Sequence, residues 1–216
     1  MERGIIEKTE EYMKNRLSGD SSGHDWWHTK RVWELGKKIA AEEGAYVHLV
    51  EVTCLLHDIA DHKLHGGDEE IGPRLAGEWL QSLSVKPSDI LHIREIISTM
   101  SYKGPNYHVK MKTLEGKCVQ DADALDAMGA IGVARCFAFG GYKGNLMYNP
   151  AIPPNRNLST EQYKKAESIQ INHFYEKLLL LKDRLNTRTA RKIAEQSGKH
   201  KFMGEFLNQF FKEWNL

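Results

Sequence analysis

The chain has few cysteines, and those it has are scattered. Cys54, Cys118 and Cys136 form no CxxC pair and sit among apolar neighbours, as small hydrophobes of a reduced, cytoplasmic protein do. Long hydrophobic runs are missing too, since none approaches the roughly 20 residues of a membrane-spanning helix. The first stretch, MERGIIEKTEEYMKNRL, is too charged for a signal peptide. Nor does either charge dominate. With 30 basic and 29 acidic residues the net charge is +1, so no global field draws the chain to nucleic acid or an anionic membrane, and any phosphate recognition must be local. Alternating runs of β-branched residues are absent as well, which excludes a sheet-built core.

What remains is helical periodicity almost everywhere. A chain of 216 residues with 41% hydrophobic content suits one well-packed domain, and the fold class expected is all-α, a single-domain helical bundle. The pattern predicts helices over 3–17, 26–43, 46–62, 69–82, 88–100, 116–137, 160–184 and 188–213. Gly44, Gly66-Gly67 and Pro87 punctuate the early ones, and Ser159 with Gln162 makes a capping-box signature. FGGYKGNLMYNPAIPPNRN, residues 139–157, interrupts the periodicity and predicts a flexible loop of lid or binding type.

Polar groups stand where the pattern demands apolar ones. In GHDWWHTKRVWELGKKIA, residues 23–40, His28 falls in the stripe of Val32, Leu35 and Ile39. In the next predicted helix the stripe Val47, Val50, Cys54 leads to His57 and Asp61, with Asp58 about 100° around. CVQDADALDAMGAIGVA, residues 118–134, sets three aspartates among small apolar residues. Asp123 shares a face with Val119, Ala127 and Ala130 and is the best candidate for a fourth inward group. Asp121 is its rival, though the plainer expectation for Asp121, as for Asp126, is a solvated or capping group. An isolated buried carboxylate costs several kcal/mol. A single metal ion satisfies all these groups together.

The order His28, His57-Asp58, Asp123 in an AD-x-L context resembles the signature of the HD-domain superfamily of metal-dependent phosphohydrolases, an all-helical fold. The likeness runs from about residue 20 to about 135. GHDWWHTKRV, LLHDIADHK and QDADALDAMGAIG resemble its small bacterial members, predicted hydrolases. The resemblance implies metal ligation by His28, His57, Asp58 and Asp123; His24, which precedes the helix, is expected at the surface. Two-metal members carry further histidines where this chain has Asp68 and the run Ser98 to Ser101, so one divalent ion is expected, of manganese, iron, cobalt, nickel or zinc.

The implied chemistry is hydrolysis of a phosphate ester or anhydride in a small phosphorylated metabolite, a nucleotide or nucleoside triphosphate foremost. The alternatives are a phosphodiesterase acting on a cyclic or linear dinucleotide and a non-catalytic nucleotide-sensing module. Asp61 is the expected proton-transfer group, with a helix-end salt bridge to Lys63 or Arg31 as the other reading, and His62 stands next in line. Lys63, Arg31 and Lys103 are candidate phosphate contacts. Lys143 and Tyr148, with Tyr142, are candidate substrate contacts on the predicted lid. Neither nucleic acid nor membrane is an expected partner.

Overall fold

The computed structural model describes residues 2–60, 68–107, 110–166 and 168–215. Among them there are eleven α-helices, two short 3-10 turns and no strand. The expected all-α class is what the structure has. No single helix among the described residues is long and apolar enough to cross a membrane.

The chain forms two compact units. One comprises Met1–Asp20, His24–Ser101 and Val109–Ala122. It holds α1 (Arg3–Arg16), α2 (Trp26–Glu43), α3 (Val47–Leu56), α4 (Ile71–Ser82), α5 (Pro87–Thr99) and the larger part of α6 (Leu114–Asp126). At its centre is α3, buried at every position from Leu49 to Leu56, which explains why no polar face shows in its sequence. Against it lies α2, where Gly36 permits the approach: a Cβ there would come within 2.4 Å of Cys54 Sγ. Glu51, buried on α3, has its charge answered by α2. Trp33 Nε1 donates to its carboxylate at 3.1 Å, and Lys37 Nζ lies 3.4 Å away.

Helix α3 stops earlier than its apolar pattern predicts, at Leu56 instead of 62. The cause is local competition. In a continuing helix the Cys54 carbonyl would accept the Asp58 N–H, but His57 Nδ1 takes it at 2.8 Å. The Ile59 N–H turns back to Leu56 O at 3.0 Å. His57 and Asp58 therefore occupy the middle of a tight turn, not a helix face.

The other unit comprises Ser21–Gly23, Tyr102–His108 and Asp123–Leu216. It contains α7 (Gly129–Lys143), α8 (Thr160–Lys165), α9 (Gln170–Glu176), the 3-10 turns Leu178–Leu180 and Lys182–Arg184, α10 (Arg188–Gln196) and α11 (Lys199–Trp214). Three predicted helices are divided. The one over 116–137 breaks into α6 and α7, bent by 80°, where Met128 is extended and Gly129 takes a φ of +77°. Gly132 packs so closely on that bend that a Cβ would lie 2.1 Å from the Ala127 carbonyl. The one over 160–184 becomes α8, α9 and two 3-10 turns, because extended backbone at Ile169 carries Ile169, Ile171 and Phe174 into the core. The last is split by Gly198 in the left-handed region.

The predicted loop begins later than expected. Residues 139–143 finish α7, and the irregular remainder makes hydrogen bonds to α9 and the residues beside it. Leu146 O and Met147 O accept the N–H groups of Gln170 and Ile171, each at 3.0 Å. Asn172 Nδ2 donates to Ile152 O at 2.9 Å, and Arg156 Nε to Tyr175 O at 3.0 Å.

Candidate metal centre

His28 enters through the start of α2. Asp25, extended, caps the helix by accepting the His28 backbone N–H at 2.8 Å, and the imidazole that follows is completely buried. His57 and Asp58 arrive from the turn after α3. Their donor atoms converge: His28 Nε2 lies 3.1 Å from His57 Nε2, and Asp58 Oδ2 lies 3.3 Å and 3.4 Å from the two nitrogens. Among the described residues, these three form the group of potential metal ligands, with donor atoms within 4.8 Å of one another.

Proton placement follows from the hydrogen bonds. The Cys54 carbonyl can only accept, so His57 Nδ1 carries a hydrogen; with the ring protonated Nε2 donates toward Asp58, and with the ring neutral Nε2 holds the lone pair that a metal ion would take. Such an outer hydrogen bond fixes ring orientation in metal-ligating histidines. Burial opposes ionisation of Asp58, but the charge of His57, hydrogen bonds from His28 and His57, and the more distant charge of His24 outweigh it, holding the carboxyl well below its usual range. Two imidazole nitrogens and a carboxylate oxygen at these spacings fit a divalent transition metal.

Other predicted residues fall differently. His24, expected at the surface, is half-buried with its ring centroid 6.0 Å from that of His28. No sequence signal marks this, because His24 precedes the helix and its approach depends on the backbone before α2, where Asp25 is extended. Asp123 is half-buried in the last turn of α6 and is not one of the three converging groups. Asp121 and Asp126, expected to be solvated or capping, are each only 1% exposed. Asp126 meets Arg135 Nη1 at 3.3 Å. Asp68 accepts the Glu70 N–H at 3.0 Å, and the Ser98 and Thr99 hydroxyls donate to the Glu95 carbonyl.

Arg31 is half-buried on α2, three residues past His28. Lys103, Lys143 and Tyr148 belong to the second unit. Lys103 is half-buried in a segment that Arg184 holds through the carbonyls of Gly104, Pro105 and Tyr107. Lys143 ends α7, exposed. The Tyr148 ring is engaged edge-on with Phe210, Phe211 and Trp214, so packing accounts for it. Asp61, His62 and Lys63 lie outside the described residues.

The family model of the HD domain matches residues 26–128, which include all three converging groups and Asp123. The uncharacterized protein YpgQ of Bacillus subtilis is 36% identical over 208 residues, 96% of this chain and 92% of YpgQ. The chain belongs to the HD-domain superfamily. An HD-superfamily hydrolase from Bacillus thuringiensis, 43% identical, matches the HD fold of this chain with a TM-score of 0.70, covering 99% of this chain and 98% of that one. A protein from Lactobacillus plantarum, 35% identical, matches with a TM-score of 0.87 over 100% of this chain and 99% of that one. YpgQ itself has been crystallised in complex with ADP. That structure matches with a TM-score of 0.70 at 31% identity, covering 96% of this HD-domain chain and 97% of YpgQ.

Proposed function

We propose that this HD-domain protein is a metal-dependent phosphohydrolase acting on a nucleotide or nucleoside triphosphate. The observation that carries the reading is the convergence of His28 Nε2, His57 Nε2 and Asp58 Oδ2 within 4.8 Å. These residues would hold one divalent ion, with Asp123 as the fourth ligand that the family pattern supplies. Such an ion lowers the pKa of bound water and neutralises charge on a phosphate oxygen.

The chain's own groups do the rest. The Cys54 carbonyl favours the His57 tautomer whose Nε2 carries the lone pair a metal would take, and Asp58, held ionised, contributes charge without exchanging protons. Asp61, or His62 in its place, takes a proton from the attacking water or returns one to the leaving oxygen. Arg31 and Lys63 bind the negative substrate oxygens, and Lys103 and Lys143 are further candidates for that role. Complex formation between YpgQ and ADP supports a nucleotide as substrate class.

The test is to strip the protein with chelator, reload it with manganese, and screen nucleoside mono-, di- and triphosphates and cyclic dinucleotides for phosphate and pyrophosphate release. Manganese-dependent turnover of a nucleotide is the expected result. Binding without turnover across the panel would replace the enzyme with a nucleotide sensor.

A further inference from the structure

The turn carrying His57 and Asp58 is fastened by local hydrogen bonds and by one from far away in the chain. The local pair closes Ile59 N–H onto Leu56 O and His57 Nδ1 onto Cys54 O. The distant bond comes from Arg16, the last residue of α1, whose Nε donates to the Ile59 carbonyl at 2.8 Å across 43 residues of sequence. The next carbonyl, that of Ala60, is approached by α4. A Cβ at Gly72 would stand 3.2 Å from it. Ile59 and Ala60 are themselves buried.

We infer that Arg16 is a positioning residue of the metal centre, a role that rests on reading His28, His57 and Asp58 as metal ligands. The helical ladder ends at Leu56, so backbone bonding alone holds the turn weakly. The 3.4 Å between His57 Nε2 and Asp58 Oδ2 is set within the pair, but their distances to His28 on α2, 3.1 Å and 3.3 Å, depend on how the whole turn is seated. His57 is restrained at its own ring, whereas the far end of the turn is restrained through the Ile59 carbonyl. An arginine meets that need because its planar guanidinium donates in a fixed direction. Its outer atoms can stay in water while Nε makes the bond, which is how Arg16 is exposed and still anchors a buried turn.

Outer groups that orient metal ligands are worth about 10- to 100-fold in metal affinity. The metal-free full-length protein is titrated with manganese, following free manganese by electron paramagnetic resonance, in wild type, Arg16→Met, Arg16→Lys and, as a control at another exposed position of α1, Lys14→Met. Arg16→Met should weaken manganese binding by about 10- to 100-fold, Arg16→Lys should recover part of the loss, and Lys14→Met should match wild type. Hydrolysis lost by Arg16→Met at limiting manganese should return at excess manganese, a recovery that a merely structural role does not produce. Unchanged manganese affinity in Arg16→Met, with or without a lowered melting temperature, overturns the inference alone. Failure of the wild type to bind manganese overturns the metal reading and the inference with it.

Discussion

His28 and His57 bring their Nε2 atoms to 3.1 Å from segments 29 residues apart in sequence, and Asp58 closes the third side. A proton on one ring, or a cation shared by both, makes that approach favourable. Removing any member should disable the cation's site. His57→Ala and Asp58→Ala should each purify nearly metal-free and lose more than about 100-fold in hydrolysis, beyond the usual effect of an outer-shell change. Elemental analysis of the purified variants checks this, and His24→Ala, outside the converging trio, should keep its metal.

Proton transfer should separate from metal binding. Asp61→Asn keeps shape while removing the titratable group. Metal content should stay at the wild-type level as turnover falls by about two to four orders of magnitude. Parallel loss of metal would make Asp61 a ligand or the support of one, and near-normal turnover would move the proton work to His62.

The contact of α2 with α3 depends on a missing side chain. In Gly36→Ala the new Cβ would collide with Cys54 Sγ at 2.4 Å, and overpacking of this kind costs about 1–3 kcal/mol. Urea denaturation should show that loss, with a smaller loss in the double variant Gly36→Ala, Cys54→Ala, because the two atoms in conflict are then not both present.

All three thiols are buried. Burial, aided by the nearby carboxylates of Asp121, Glu43 and Glu115, pushes Cys118 up to about 12, and burial does the same for Cys136 against the opposing charge of Lys177. At pH 8 each would be thiolate on the order of once in ten thousand molecules. A disulfide reagent should find almost no reactive thiol in the native protein at pH 8 and all of them in guanidinium. Reactivity should rise only as pH climbs toward 12 or the protein unfolds.

Asp126 depends on Arg135, whose guanidinium also donates to the Gly23 carbonyl at 2.6 Å. Arg135→Met leaves the buried carboxylate without this partner and should cost about 3–5 kcal/mol. Asp126→Asn combined with Arg135→Met should cost less, since the buried group that has lost its arginine then carries no charge. Denaturant midpoints of the two variants decide it.

Periodicity determined a good deal about this protein by itself. The limits of α2 follow from Asp25 as an extended cap and Gly44 in the left-handed region, signals that are local and need no partner. The inward placement of His28 follows from the same helix, because spacing along a regular helix fixes direction. Where backbone and side chain compete, local pattern was not enough. The apolar run into His57 reads as continuing helix, yet the imidazole takes the Cys54 carbonyl and the ladder ends. Gly129 and Gly198 were visible as glycines, but a glycine inside a helical pattern is compatible with both a tolerated interruption and a break, and only packing chooses between them. The tertiary structure alone decided that His24 approaches His28, that Asp126 is buried against Arg135, and that Arg16 reaches the Ile59 carbonyl. The first depends on irregular backbone ahead of α2, and the other two on how separate elements pack; sequence periodicity fixes the face a residue occupies without fixing which residue of another element will stand opposite.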